Sequence, residues 1–299
     1  MTPSAVRTPD SRFTNLPGWP WAAHYRDDLV GFEGLRVAYL DEGPRDAEHV
    51  FLCLHGQPTW SYLYRRMIPP FLATGARVVA PDLLGFGRSD KPVEDAVYTF
   101  DFHRAMLVAF IRALDLRRVT LVVQDWGGLL GLTLPPDMPE RFERLIIMNT
   151  GFATGDAPIG PGFLAWRDYN AKNPDMPVDA LMKRSTPHLT DAEAAAYLAP
   201  FPDASFKAGV RRFPNLVPLQ PDAGGGEISR AARNWWRTEW AGQSFMAIGV
   251  ADPVIGLAPM QALHAHIRNC PPPLEMAQAG HFVQEWGDEV AHAALASFR

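Results

Sequence analysis

Short, almost unbroken apolar runs recur along the chain, each closed by a polar or glycine-rich turn. "LRVAYLDEG" (35–43) reads as a strand entering a turn, "HVFLCLHG" (49–56) as a buried strand ending in His-Gly, and "ARVVAPDLLGFGRSD" (76–90) as a strand with a glycine-rich loop behind it. "RVTLVVQ" (118–124) and "ERLIIMNTG" (143–151) repeat the form. Between them "FDFHRAMLVAFIRALDL" (100–116) shifts to helical spacing, with Asp101 as its cap, and a short helix is predicted from Trp126 to about Leu134. Strands that are apolar at nearly every position have no face for water. Separated by helices, they predict a parallel sheet covered on both sides.

The pattern breaks after residue 151. Residues 152–226 are rich in proline and aromatics, hold helical pieces such as "DAEAAAYLA" (191–199), and close on Gly224-Gly225-Gly226. The alternation then returns with "SFMAIGVADP" (244–253), a helix near 258–267, "PLEMAQAGHF" (273–282) and a last helix from about Asp288. This predicts one α/β domain in two parts, 1–151 and 227–299, with a mostly helical cap at 152–226 inserted between them.

Composition narrows the classes. At 299 residues and 47% apolar content the chain has ample material for a core. A net charge of −5 gives no electrostatic footprint for nucleic acid. No apolar run approaches a membrane span, and the first residues lack the apolar stretch of a signal peptide. Cys53 and Cys270 fit neither a disulfide framework nor a zinc site, which suits a reducing cytoplasm. "HAH" (264–266) puts its histidines on different helix faces, and "GFGRSD" (85–90) lacks the third glycine of a dinucleotide loop, so no metal and no cofactor is expected.

Ligands of such sheets bind beyond the carboxyl ends of the strands. The candidates there are His55-Gly56-Gln57-Pro58, Asp82, Asp125-Trp126, Asn149, Asp252 and His281. In "LVVQDWGGLLG" (121–131) a strand meets a helix at Asp125, where many hydrolases carry a serine. Asp125 also suits a plain helix N-cap. Gly127 and Gly128 favour the tight corner, while Val123 stands where a small residue is usual. His281 alone would be a surface histidine and Asp252, before Pro253, a turn residue. Taken together they follow the order nucleophile, acid, histidine, which is more specific than any one of them.

The chemistry follows from the carboxylate. Already ionised, Asp125 needs no base to attack an sp³ carbon, displace a leaving group and form an alkyl ester. Water then attacks the ester carbonyl if His281 takes its proton, and the oxyanion needs backbone N–H donors. The N–H groups of Gln57 and Trp126 are placed for that.

The chain resembles the haloalkane dehalogenases of the α/β-hydrolase superfamily, in the branch acting on short haloalkanes. The residues that carry the resemblance are "HGQPTWSYLYRRM" (55–67), "PDLLGFGRSDKP" (81–92), "VVQDWGGLLGL" (122–132), "GVADP" (249–253) and "AGHFVQEWG" (279–287), with "APFPDASFKAGVRRFP" (199–214) from the cap. The resemblance spans nearly the whole chain. It implies an α/β-hydrolase fold with a helical cap. It implies Asp125 as nucleophile, Asp252 after the seventh strand as acid, His281 as base, and halide held between the indole N–H groups of Trp126 and Trp166. Phe152, Phe163, Phe213 and Pro214 would line an apolar pocket. The implied partners are a small halogenated alkane, water and halide, without nucleic acid, membrane or cofactor, in a monomeric cytoplasmic protein. The rival is an epoxide hydrolase with the same Asp-His-Asp set, which would need two cap tyrosines such as Tyr169 and Tyr197. A fluoroacetate dehalogenase would carry arginine where Trp126 stands.

Overall fold

The structure, a computed structural model, describes residues 2–156 and 158–298. Eight strands form the main sheet: β1 (His24–Arg26), β2 (Val37–Glu42), β3 (Val50–Leu54), β4 (Arg77–Pro81), β5 (Val119–Val123), β6 (Phe142–Met148), β7 (Gln243–Gly249) and β8 (Leu274–Met276). Their order across the sheet is 1-2-4-3-5-6-7-8. Only β2 runs against its neighbours, β1 and β4, and every other pairing is parallel.

Among the described residues the α-helices are α1 (Ile68–Leu72), α2 (Phe100–Ala113), α3 (Trp126–Gly131), α4 (Pro161–Lys172), α5 (Val178–Ser185), α6 (Asp191–Leu198), α7 (Ala208–Arg212), α8 (Gly226–Thr238), α9 (Leu257–His264) and α10 (Gly287–Ser297). Strands β3, β4 and β5 are buried at all five positions, the burial their continuous apolar runs predict for a sheet covered on both faces. Helices α4 to α7 lie between β6 and α8, the stretch whose periodicity departs from the rest. Helix α8 returns the chain to the sheet, anchoring its buried Trp236 through the indole N–H to the Leu132 carbonyl at 2.7 Å.

Two local expectations change. Thr99, not Asp101, caps α2: its hydroxyl accepts from the Phe102 N–H at 3.0 Å, and Asp101 sits in the first turn, where its charge suits the helix dipole. Strand β1 was not expected, because three residues carrying one apolar side chain leave no periodic signal. It pairs with β2 at the sheet edge. Among the described residues no helix is long and apolar enough to cross a membrane, and no cluster of metal-ligating side chains occurs.

Candidate active site

The end of β5 forces the chain into an unusual corner. Asp125 has φ 49° and ψ −126°, a positive-φ conformation outside the left-handed helical basin that side chains rarely adopt. Such a residue costs on the order of 1–3 kcal/mol and persists only where its surroundings hold it. Here the Asp125 N–H donates to the Asn149 carbonyl at 2.9 Å, and the Thr150 hydroxyl donates to the Asp125 carbonyl at 2.7 Å. The neighbouring glycines leave the room. A β-carbon on Gly56 would overlap the Asp125 carboxylate, and one on Gly127 would overlap the Leu54 carbonyl. The corner therefore presents the carboxylate beyond the strand end, with the Gln57 N–H donating to Oδ1 at 2.7 Å.

The two partners arrive from the far half of the sheet. Asp252 follows β7, and His281 follows β8. Asp252 Oδ2 lies 2.7 Å from His281 Nδ1. It also accepts from Asn149 Nδ2 at 2.9 Å, while Oδ1 accepts from the Val254 N–H at 2.8 Å. On its other side the imidazole places Nε2 3.5 Å from Asp125 Oδ2. Burial alone would raise the Asp252 carboxyl, but His281 and these hydrogen bonds hold it down at about 2. Burial likewise opposes charge on His281, yet the carboxylates on both sides push it up to about 10. Both contacts favour the protonated ring.

These groups sit in the wall of a cavity of about 1060 Å³. That is at the upper end for small-molecule sites. Of the chain's nine tryptophans, only Trp126 and Trp166 line it. Among the described residues neither indole N–H bonds to another protein group, whereas those of Trp60, Trp236 and Trp240 are taken by Ala196, Leu132 and Ser244. Phe152, Phe163 and Pro214 also line the cavity. Phe213 does not: it is fully buried behind Trp126, ring centroids 4.8 Å apart, because the turn that presents Pro214 points its own side chain inward.

Other strand-end candidates fall away. His55 is buried as a neutral ring that accepts from the Leu83 N–H through Nε2 and faces the Gly56 carbonyl with Nδ1. Asp82 accepts from the N–H groups of Ser61 and Arg88, and neither residue reaches the cavity. The two tyrosines an epoxide would require do not meet. Tyr169 lines the cavity, but Tyr197 is buried elsewhere, its hydroxyl bound to Glu285 and accepting from Arg65.

Three residues act as supports: Asn149, a strand-end candidate whose role the sequence did not show, and Gln124 and Thr150, which escaped it. Asn149 bonds both main-chain groups of Gly249 as well as Asp252, and so ties the end of β6 to β7. The Gln124 amide donates to the His281 carbonyl at 3.1 Å, and Thr150 braces the corner. The signal for Gln124 and Thr150 was position alone: each immediately precedes or follows a strand-end candidate.

Comparison with known proteins agrees with this geometry. A family model described as alpha/beta hydrolase fold matches residues 49–288. The chain is 45% identical to a haloalkane dehalogenase of Psychrobacter cryohalolentis, over 96% of this chain and 95% of that one. It is 43% identical to one of Mycobacterium marinum, over 97% and 98%. A tetrameric haloalkane dehalogenase structure from Paraglaciecola agarilytica NO2 superposes with a TM-score of 0.97 at 51% identity, covering 99% of each chain.

Proposed function

The chain belongs to the haloalkane dehalogenases, hydrolases of the α/β fold that act on carbon–halide bonds, and from that premise we propose which of its residues carry the reaction. The observation that carries the assignment is His281 set between Asp252 and Asp125 in the cavity wall, with the Gln57 N–H already on Asp125 Oδ1.

In the first step Asp125 Oδ2 attacks the carbon that bears the halogen. A C–O bond forms, the carbon–halogen bond breaks, and its electron pair leaves with the halide. The anion needs no proton, so the neutral indole donors of Trp126 and Trp166 suffice, and they act more strongly because the cavity wall around them is apolar. In the second step water attacks the ester carbonyl carbon and His281 takes its proton. The developing charge collects on Oδ1, where the Gln57 N–H waits, with the Trp126 N–H as the second donor. Collapse releases the alcohol and restores the carboxylate. Asp252 orients the ring and stabilises its cation.

The charges order the two steps. While Asp125 is ionised it helps hold His281 protonated, and an imidazolium is no base. Esterification removes that charge and its contact at Nε2. The ring's affinity for its proton falls, the proton passes to solvent, and the base becomes available when the ester needs it.

The same reading keeps the core and cap divided as 1–151 with 227–299 and 152–226, the core supplying the nucleophile, acid and base and the cap supplying Trp166. Free Cys53 and Cys270 favour the cytoplasm. The Paraglaciecola enzyme favours a tetramer over the monomer expected from sequence. The test is halide release from brominated and chlorinated alkanes in EDTA, beside epoxide hydrolysis. Bromide release with no epoxide turnover is expected. Epoxide turnover without halide from any alkane overturns the assignment.

A further inference from the structure

One carbonyl joins the two sides of the candidate halide site. Val210 lies in α7, and its helical partner four residues on would be the N–H of residue 214, which is proline and has none. The Phe213 N–H goes to Gly209 instead. A buried carbonyl without a backbone partner is costly, so side chains have to satisfy it. Two do. Gln57 Nε2 donates to it at 2.9 Å and Asn170 Nδ2 at 3.0 Å, using both lone pairs.

Asn170 is 2% exposed and is the one buried residue of α4. It stands one turn beyond Trp166, on the same helix face. Gln57 belongs to the loop whose main-chain N–H meets Asp125. The Val210 carbonyl thus clamps the helix bearing Trp166 to the loop that meets the nucleophile.

We propose that Asn170 is a positioning residue for halide release: through the Val210 carbonyl it fixes where Trp166 stands relative to Asp125 and Trp126. The inference rests on the halide role given to Trp166. It explains why a polar residue fills the buried position of α4, where a leucine would pack without needing a partner. Because Gln57 still holds the Val210 carbonyl when Asn170 is lost, the change falls on the halide donor's side, and it should slow carbon–halogen cleavage and spare ester hydrolysis.

The experiment compares Asn170→Leu with the parent and with Trp166→Phe. Bromide affinity is read from quenching of tryptophan fluorescence, and the two chemical steps from single-turnover halide release and ester decay. Asn170→Leu should weaken bromide binding by about tenfold, the scale of one misplaced hydrogen bond to an anion, and slow alkylation similarly. Ester decay should keep the parent rate. Asn170→Ser, too short to reach Val210 and less disruptive to folding, should behave alike. A lower melting temperature with parent bromide affinity and alkylation rate makes Asn170 a structural residue only and overturns the proposal. If Trp166→Phe itself binds bromide like the parent, the halide role fails, and the proposal falls with it. Weakened binding in Trp166→Phe beside parent binding in both Asn170 variants refutes the clamp alone.

Discussion

Replacing His281 with glutamine separates the two chemical steps. The substitution leaves the Gln57 N–H on Asp125 Oδ1 and leaves Oδ2 free, so the proposed nucleophile should keep the geometry alkylation needs. What is lost is the base beside the ester. General-base assistance is worth roughly 10²–10⁴-fold. Against an ordinary turnover number of about 10 per second, the ester should then survive for roughly 10 to 1000 seconds. That is long enough for acid quenching and intact-protein mass spectrometry. The expected trace is a burst of about one halide per active site, followed by near arrest. The protein should be heavier by the alkyl group less one hydrogen, and the adduct should map to Asp125. Sustained turnover at the parent rate, or an adduct on another side chain, would refute the assignment of base or nucleophile.

Removing the indole N–H in Trp166→Phe should weaken bromide binding by about tenfold or more, since hydrogen bonds to charged groups are worth about 1.5–3 kcal/mol. Trp60→Phe, whose N–H bonds the Ala196 carbonyl at 3.1 Å, should lower stability and leave halide affinity intact; equal effects on bromide from both would contradict the halide role. His281 rises from 6.5 unfolded to about 10 folded, so its stabilisation is fully present below pH 6.5 and is lost as pH rises through 10. Asp252→Asn removes the stronger carboxylate influence on that ring, so denaturation midpoints measured from pH 6.5 to 10 should fall less steeply than the parent's, and parallel curves would count against the coupling. Arg65 meets the buried Glu285 through two hydrogen bonds of 2.7 Å, and Arg65→Met should cost up to about 3–5 kcal/mol by removing that bidentate partner and leaving Glu285 only the longer 3.2 Å contact with Arg66 and the Tyr197 hydroxyl; urea unfolding close to the parent's would show the pair to be dispensable.

How far the sequence carried the reading depended on the kind of signal. Strands β3 to β7 were legible because burial on both faces demands continuous apolar runs, and composition records that demand directly. That Asp125, Asp252 and His281 would meet was legible because strand ends fix which residues converge, and three positions in order exclude most coincidences. Strand β1 was hidden because an edge strand of three residues needs no pattern of its own. Phe213 was misplaced because its adjacency to Pro214 says nothing about which side of a turn faces the cavity. The roles of Asn149, Gln124 and Asn170 were invisible for a further reason: each acts on a main-chain group or side chain distant in sequence, and only the fold selects the partner. Pro214 was the exception in waiting, since a proline four residues after Val210 announces an orphaned carbonyl to anyone who asks where it bonds.

That orphaned carbonyl and the strained corner at Asp125 share a physical logic. In each, the backbone is left in a state that is unfavourable alone, a positive φ in one and an unpaired acceptor in the other. In each, the compensation comes from elements far apart in sequence: Asn149 and Thr150 for the corner, Gln57 and Asn170 for the carbonyl. A local cost met by distant partners makes the local geometry conditional on the whole fold being assembled. The carboxylate is presented only when the strand ends stand beside each other, and α4 with Trp166 is docked only when the cap sits on the Gln57 loop. Stability and alignment are then coupled at the same bonds. Substitutions at these supports should therefore change the relative rates of alkylation and hydrolysis together with melting temperature, and a fall in melting temperature at an unchanged rate ratio would show the two to be uncoupled.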